Sequence, residues 1–152
     1  MRRVTLVGGA ALLTNVQPSE DHMSVEFLGE TRTGAGGQPL PFSPAVKAGP
    51  FVFVSGTTSL DSKGRVQGKG AAEQTAITMR KIEAAVKSAG ARLADLTSMT
   101  IFVTDIRDMA AVSKALGKAL KGSVVTSTLV AVSALAVPGL LVEIEATGIV
   151  ER

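Results

Sequence analysis

"LLVEIEAT", residues 140–147, is the stretch on which the reading of this chain turns. Its alternation sends Val142, Ile144 and Ala146 to one face of a strand, and Leu141, Glu143 and Glu145 to the other. A strand with one wholly apolar face belongs over a core. Two acids on its other face must meet water, a partner subunit or a ligand, so the segment bears on both the fold and the site.

Upstream of it, "VVTSTLVAVSAL" (124–135) reads as a strand and "AVPG" (136–139) as the turn between the two. "FVFVSG" (51–56) is β-branched and aromatic, ends in glycine, and is a further strand; "DSKGR" (61–65) is a turn. From Ala71 to Ala89 the residues Ala72, Ala76, Met79, Ile82, Val86 and Ala89 recur at three and four, which predicts an amphipathic helix closed by Gly90. "LTSMTIFVTD" (96–105) is a strand. Asp105 is placed to cap a second helix, with Asp108 in the box position. That helix is expected to turn Met109, Val112, Ala115, Leu116 and Leu120 inward and to stop near Gly122.

The order β, α, β, α, β, β, with further strand near the N-terminus, predicts an α+β layer: two helices on one face of a mixed sheet. "FVFV" is apolar on both of its faces, and two helices cover only one. The other face calls for self-association, so a homo-oligomer with ligand clefts between subunits is expected.

At 152 residues the chain suits one domain with a real core. Apolar residues make up 45% and aromatics only 3%, with no Trp or Tyr, so that core must be built from Val, Ala, Leu and Ile. The absence of cysteine excludes a thiol nucleophile, disulfides and thiolate metal sites. A single histidine, His22, excludes a His-rich metal site, and neither metal nor cofactor is expected. The net charge of +3 is mild and scattered, without a basic run, which argues against a nucleic-acid partner.

"MRRVTLVGGAALLTNVQ" has the basic tip and apolar stretch of a secretory signal but no small-residue cleavage site. It is also too short for a bilayer, which needs about 20 apolar residues. Residues 1–22 are read as an extension, natural or vector-derived, ahead of a single domain at 23–152, and a cytoplasmic location without a membrane partner is the expectation. "GETRTGAGGQPLP" (29–41) reads as a surface loop.

Four stretches, "PFSPAVKAGPFVFVSG", "EQTAITMRKIEAAVKSAGARLADL", "TIFVTDIRDMAAV" and "VPGLLVEIEATGIV", resemble in this order the RidA/YjgF family from about Pro41 to Ile149. The resemblance implies a chorismate-mutase-like α+β fold and a homotrimer with clefts between subunits. The activity it implies is cofactor-independent hydrolysis of reactive enamines or imines to ammonia and a 2-keto acid. By the same resemblance Glu143 is the catalytic residue, orienting or activating water. Ser55, Gly56 and Thr128 match the family's pattern, and Phe42 stands where the family has a tyrosine; Ser55 and Thr57, which follow a buried strand, either line the cleft as substrate-binding residues or cap a turn.

Two positions depart from the pattern. The arginine that clamps a substrate carboxylate in a Pro-Ala-Arg-Ser run is matched by Thr126, and an asparagine after the third strand by Arg107. Losing that clamp disfavours small 2-imino acids, by roughly 2–5 kcal/mol for a buried carboxylate partner. Arg107 is then either a replacement anion clamp or a solvated arginine. Glu145 is either structural or subunit-bridging, and His22 has no role. The residues by themselves leave Glu143 open between a solvent-facing glutamate and a base; the resemblance favours the base. Two function classes result: a hydrolase of reactive imines with altered substrate choice, or a non-catalytic trimer binding a small, possibly anionic, ligand or a protein. An endoribonuclease fits the charge pattern less well.

Overall fold

The structure, a computed structural model, describes residues 6–7, 10–11, 24–29, 38 and 40–150. The extension at 1–22 and the loop at 29–41 lie largely outside the described residues. Within the extension, β1 (Leu6–Val7) and β2 (Ala10–Ala11) pair antiparallel. The domain itself contributes β3 (Val25–Leu28), β4 (Ala45–Ala48), β5 (Phe51–Thr58), β6 (Leu96–Val103), β7 (Thr126–Ala131) and β8 (Val142–Ile149). These form one sheet in the order β3-β4-β5-β8-β6-β7.

Every neighbouring pair in that sheet is antiparallel except β6 and β7. A parallel pair needs a long crossover, and α2 (Met109–Leu120) supplies it. The other helix, α1 (Ala71–Ser88), joins β5 to β6 and packs on β5, β8 and α2. The result is the expected α+β architecture, a chorismate-mutase-like mixed sheet with both helices on one face.

β8 runs through the middle of the sheet, and the alternation in "LLVEIEAT" is realised: Val142, Ile144 and Ala146 are buried. They meet Val52 and Val54 of β5, Met99, Ile101 and Val103 of β6, Met79, Ile82 and Val86 of α1, and Val112 of α2. The core is aliphatic, as the composition requires. Each buried Val, Ile or Met contributes about 1.5–3 kcal/mol, so β8 is a stable base for its opposite face.

The start and stop signals hold in part. Gly90, with φ +75°, ends α1; its N–H donates to the Lys87 carbonyl and that of Ala91 to the Val86 carbonyl, each at 2.9 Å. This is the paired closure that a left-handed glycine allows. Lys121 and Gly122, both left-handed, end α2 where expected. Asp105, however, caps a single 3-10 turn, Ile106–Asp108, by accepting from the Arg107 N–H at 2.9 Å. α2 begins only at Met109, and its cap, Asp108, makes no side-chain bond. Met109 is exposed, and Val112 is the buried residue of α2.

The inward face of α1 is rotated from the apolar periodicity in its first two turns. Ala72 is exposed, whereas Gln74, Thr75 and Thr78 are buried. Gln74 and Thr75 are tolerated inside because their polar groups are paired. The Thr75 hydroxyl donates to the Ala71 carbonyl at 2.7 Å. Gln74 Nε2 donates to the Gly139 carbonyl at 3.0 Å, and its Oε1 accepts from the Leu141 N–H at 2.8 Å. Gln74 thus ties the helix to the residues that lead into β8.

The helix-free face of the sheet carries the large exposed side chains. Phe51 and Phe53 lie one strand step apart with ring centroids 6.3 Å from each other. Register places Phe27 beside Val46, Val46 beside Phe53, and Phe51 beside Ile149. Phe27 is 75% and Phe53 46% exposed, so an apolar band crosses β3, β4, β5 and the end of β8 without a cover among the described residues.

Candidate functional site

Phe53 and Val54 of β5 pair with Thr147 and Ala146 of β8, and Thr57 and Thr58 pair with Ile144 and Glu143; between them the register slips. Ser55 and Gly56 therefore oppose the single residue Glu145, which makes a β-bulge. β4 pairs with β5 only through Val54, so the bulge also lies where β5 has lost its outer neighbour. A cleft of about 330 Å³ opens at this edge. It is lined by Phe42, Ser43, Pro44, Ser55, Gly56, Thr57 and Thr58, and by Lys81, Ala84, Ala85 and Ser88 of α1.

Glu143 rests against the bulge from β8. A Cβ on Gly56 would overlap Glu143 Oε1 and lie 3.2 Å from its Cδ. Gly56 has no left-handed backbone to explain it; its use here is the space it leaves for that carboxylate. Glu143 is half-buried and accepts no hydrogen bond among the described residues. Burial, and then the charge of Glu145 on the same strand face, push its carboxyl above the ordinary glutamate range. A carboxylate with a raised pKa and no hydrogen bond among the described residues, resting on the glycine that borders the cleft, has the properties of a general base.

The hydroxyls around it are committed as donors. Ser55 Oγ donates to the Ser43 carbonyl at 2.6 Å, and Thr57 Oγ1 to the Ser55 carbonyl at 2.7 Å. These bonds hold the bulge in shape and leave the hydroxyl lone pairs available to a ligand. Lys81 was not apparent in the sequence. Its Nζ donates to the carbonyls of Thr58 and Leu60 at 2.6 and 2.9 Å, fixing the segment after β5 to α1. The stripe Lys81, Ala84, Ala85, Ser88 is the signal that places α1 along the cleft, since these are the small and polar residues interleaved with Ile82 and Val86.

Phe42, Ser55, Gly56, Thr57 and Glu143 are thus brought together. Arg107 lies in the 3-10 turn ahead of α2, with its exposed guanidinium bonded to both carboxylate oxygens of Asp105 at 2.5–3.0 Å. That clamp, with the Arg107 N–H, holds the Asp105 carboxyl down at about 2. Thr126 and Thr128 do not join the cluster within one chain. Thr126 pairs with Ser98, whereas Glu143 pairs with Phe102, so they lie roughly 13 Å apart along the sheet, with β6 between their strands. The Thr126 hydroxyl donates to the Thr97 carbonyl at 3.0 Å. Among the described residues no cluster of potential metal ligands exists.

Fold and site together define an α+β protein with a cleft at a sheet edge, a carboxylate resting on the glycine bulge that borders it, and an apolar sheet face uncovered among the described residues. Residues 37–150 match the family model described as Endoribonuclease L-PSP. The chain belongs to this family, that of the RidA/YjgF proteins. A RutC family protein of Pyrococcus horikoshii is 32% identical over 107 residues, which cover 70% of this chain and 84% of that protein. A RutC family protein of Pyrococcus abyssi is 35% identical over 71 residues, covering 46% of this chain and 56% of its own length; the match spans little more than half of that relative. Among solved structures, a Mycobacterium tuberculosis member of the YjgF/YER057c/UK114 family superposes with a TM-score of 0.72 at 36% identity, covering 84% of this chain and 100% of its own.

Proposed function

We propose that this chain binds and hydrolyses a small reactive imine or enamine in clefts between the subunits of a homotrimer. The observation that carries the reading is Glu143: a half-buried carboxylate with a raised pKa and no hydrogen bond among the described residues, resting on Gly56 of the bulge that borders the cleft. In the step envisaged, water adds to the C=N carbon as Glu143 takes its proton, and the π pair moves to nitrogen. The proton is then delivered to nitrogen, the C–N bond breaks, and iminium plus water yield a carbonyl compound plus ammonium. Ser55, Gly56, Thr57 and Phe42 shape the substrate side. The uncovered band containing Phe27 and Phe53 supports the trimer, in which Thr126 and Thr128 of a neighbouring copy would complete the cleft. No metal or cofactor has a part in the step.

Thr126 supports altered substrate choice, because the clamp position holds a neutral hydroxyl, already donated to the Thr97 carbonyl, in place of a charged donor for a carboxylate. The same position supports the second reading, a non-catalytic trimer that binds a small ligand or a protein. Nuclease activity has less behind it, since the +3 charge is scattered. Among the described residues no helix is long and apolar enough to cross a membrane, and the cytoplasm is the location we propose.

The test is carbonyl release from 2-aminoacrylate and from carboxylate-free imines generated in situ, by the wild type, Glu143→Ala and Thr126→Arg. Hydrolysis of an imine that Glu143→Ala abolishes supports the reading. Equal rates for wild type and Glu143→Ala would remove Glu143 from the chemistry and leave the binding trimer.

A further inference from the structure

The outer face of the helical layer has no part in the cleft. α1 and α2 pack against each other, and between them runs an open groove of about 620 Å³. Its walls are small, Ala72 and Ala76 from α1 and Ala111, Ala115 and Ala119 from α2, and buried Met79 lies at its floor. A single methyl from each position does not fill the seam between two helices, so apolar surface stays open among the described residues. The charge along this groove is uneven. Lys114, Lys118 and Lys121 recur at four and three along the α2 wall, in one row parallel to the groove, and Arg80 stands on the α1 wall. Lys114, Lys118 and Arg80 form no ion pair among the described residues. The two acids of the α1 wall are already engaged: Glu73 accepts from the Lys69 N–H at 2.9 Å, and Glu83 pairs with Lys87 at 3.0 Å. Apolar floor and unspent positive charge therefore occur together, over a length of about 15 Å from Ala111 to Lys121, or about three helical turns.

From the apolar groove and the lysine row beside it we infer that the outer helical face docks an acidic amphipathic helix of a partner protein. Leucine-sized side chains on one face of that helix enter the seam that the alanines leave open. Carboxylates three and four residues apart along its edge meet Lys114, Lys118 and Lys121, whose spacing along α2 is the same. The band containing Phe27 and Phe53 lies on the opposite, helix-free face of the sheet, so the groove stays accessible in the proposed trimer. Docking here uses none of the groups around Glu143, and it holds or fails apart from the hydrolase reading.

The probe is a labelled synthetic peptide of about eighteen residues, long enough to be helical, with leucines on one face and glutamates along its edges. It is titrated with the full-length protein by fluorescence anisotropy, beside a control peptide in which every glutamate is lysine. The acidic peptide is expected to bind at least about tenfold more tightly than the basic one, with an affinity that falls as salt screens the exposed charges. Lys114→Glu/Lys118→Glu should weaken it about tenfold. Ala72→Gln/Ala111→Gln should narrow the mouth of the groove and weaken it about fivefold; both positions are exposed and glutamine is a good helix former, so the melting temperature should hold. Equal affinity for the two peptides, no binding of the acidic one up to about a millimolar, or binding indifferent to both variants overturns the inference. Tighter binding to phosphatidylserine vesicles than to the peptide, lost in the lysine variant, overturns it by giving the face to an anionic membrane. Self-association that the lysine variant abolishes, without peptide binding, overturns it by giving the groove to a second copy of this chain.

Discussion

Replacing Gly56 with alanine separates the position of a carboxylate from the stability of the strand beneath it. The new Cβ would overlap Glu143 Oε1 and approach its Cδ to 3.2 Å, and the side chain that must yield is the free end of a flexible glutamate. Rotating it costs about 0.5–1.5 kcal/mol off its preferred rotamer. Against this, glycine within a strand is less stable than alanine by roughly 0.5–1 kcal/mol of backbone entropy, and the backbone here is not left-handed. The two nearly cancel, so stability should stay within about 1 kcal/mol, a melting shift of about 4 °C at most.

The carboxylate, however, moves by an ångström or more, which for the proposed general base should cost on the order of a hundredfold in rate. The assay is carbonyl release from an enzymatically generated imine, paired with a carboxyl 13C titration of Glu143. In the variant that carboxyl, driven outward, should titrate nearer the ordinary glutamate value. Turnover within about threefold of wild type would refute the claim that Gly56 positions the base. Destabilisation beyond about 3 kcal/mol would refute the claim that only a flexible group stands in the way.

Other consequences follow from the same geometry. Because the folded Glu143 has a raised pKa, its ionisation opposes folding above the unfolded value of about 4.5, and its contribution worsens as pH rises through the folded value. Glu143→Gln should therefore raise the melting temperature at pH 7 and change it little at pH 4; equal shifts at both would count against burial as the cause. Gln74→Ala strips partners from the Leu141 N–H and the Gly139 carbonyl and should destabilise by roughly 2–4 kcal/mol in urea unfolding, with β8 amides exchanging faster. Ile144→Ala, deep in the core, should cost roughly 2–5 kcal/mol by the same measurement. Phe53→Asp should reduce the proposed trimer to monomers in sedimentation while circular dichroism stays native; an unchanged mass would show that this band is not a subunit contact.

The strand alternation of "LLVEIEAT", the glycine that closes α1 and the mixed α+β order were all legible along the chain. Each is set by neighbours a few residues away, through the twofold period of a strand or the backbone freedom of one glycine. The inward face of α1 was misread at Gln74 and Thr75: Thr75 satisfies its hydroxyl within the helix at Ala71, and the partners of Gln74, Gly139 and Leu141, lie beyond any local periodicity. The Asp105 cap was misassigned by one turn because Arg107 recruits its carboxylate into a 3-10 turn first.

The site shows the same division. Local pattern, read with the family resemblance, named Glu143 and the Ser55-Gly56 pair, whose residue types and strand placement are properties of short segments. Folding alone decided that Gly56 is the glycine on which Glu143 rests, that Lys81 lines the cleft beside Gly56, and that Arg107 is engaged by Asp105. Those facts depend on a register slip between β5 and β8 and on how α1 lies across the sheet. Both are settled by the packing of the whole core, through contacts between residues that are neighbours in space and distant in sequence.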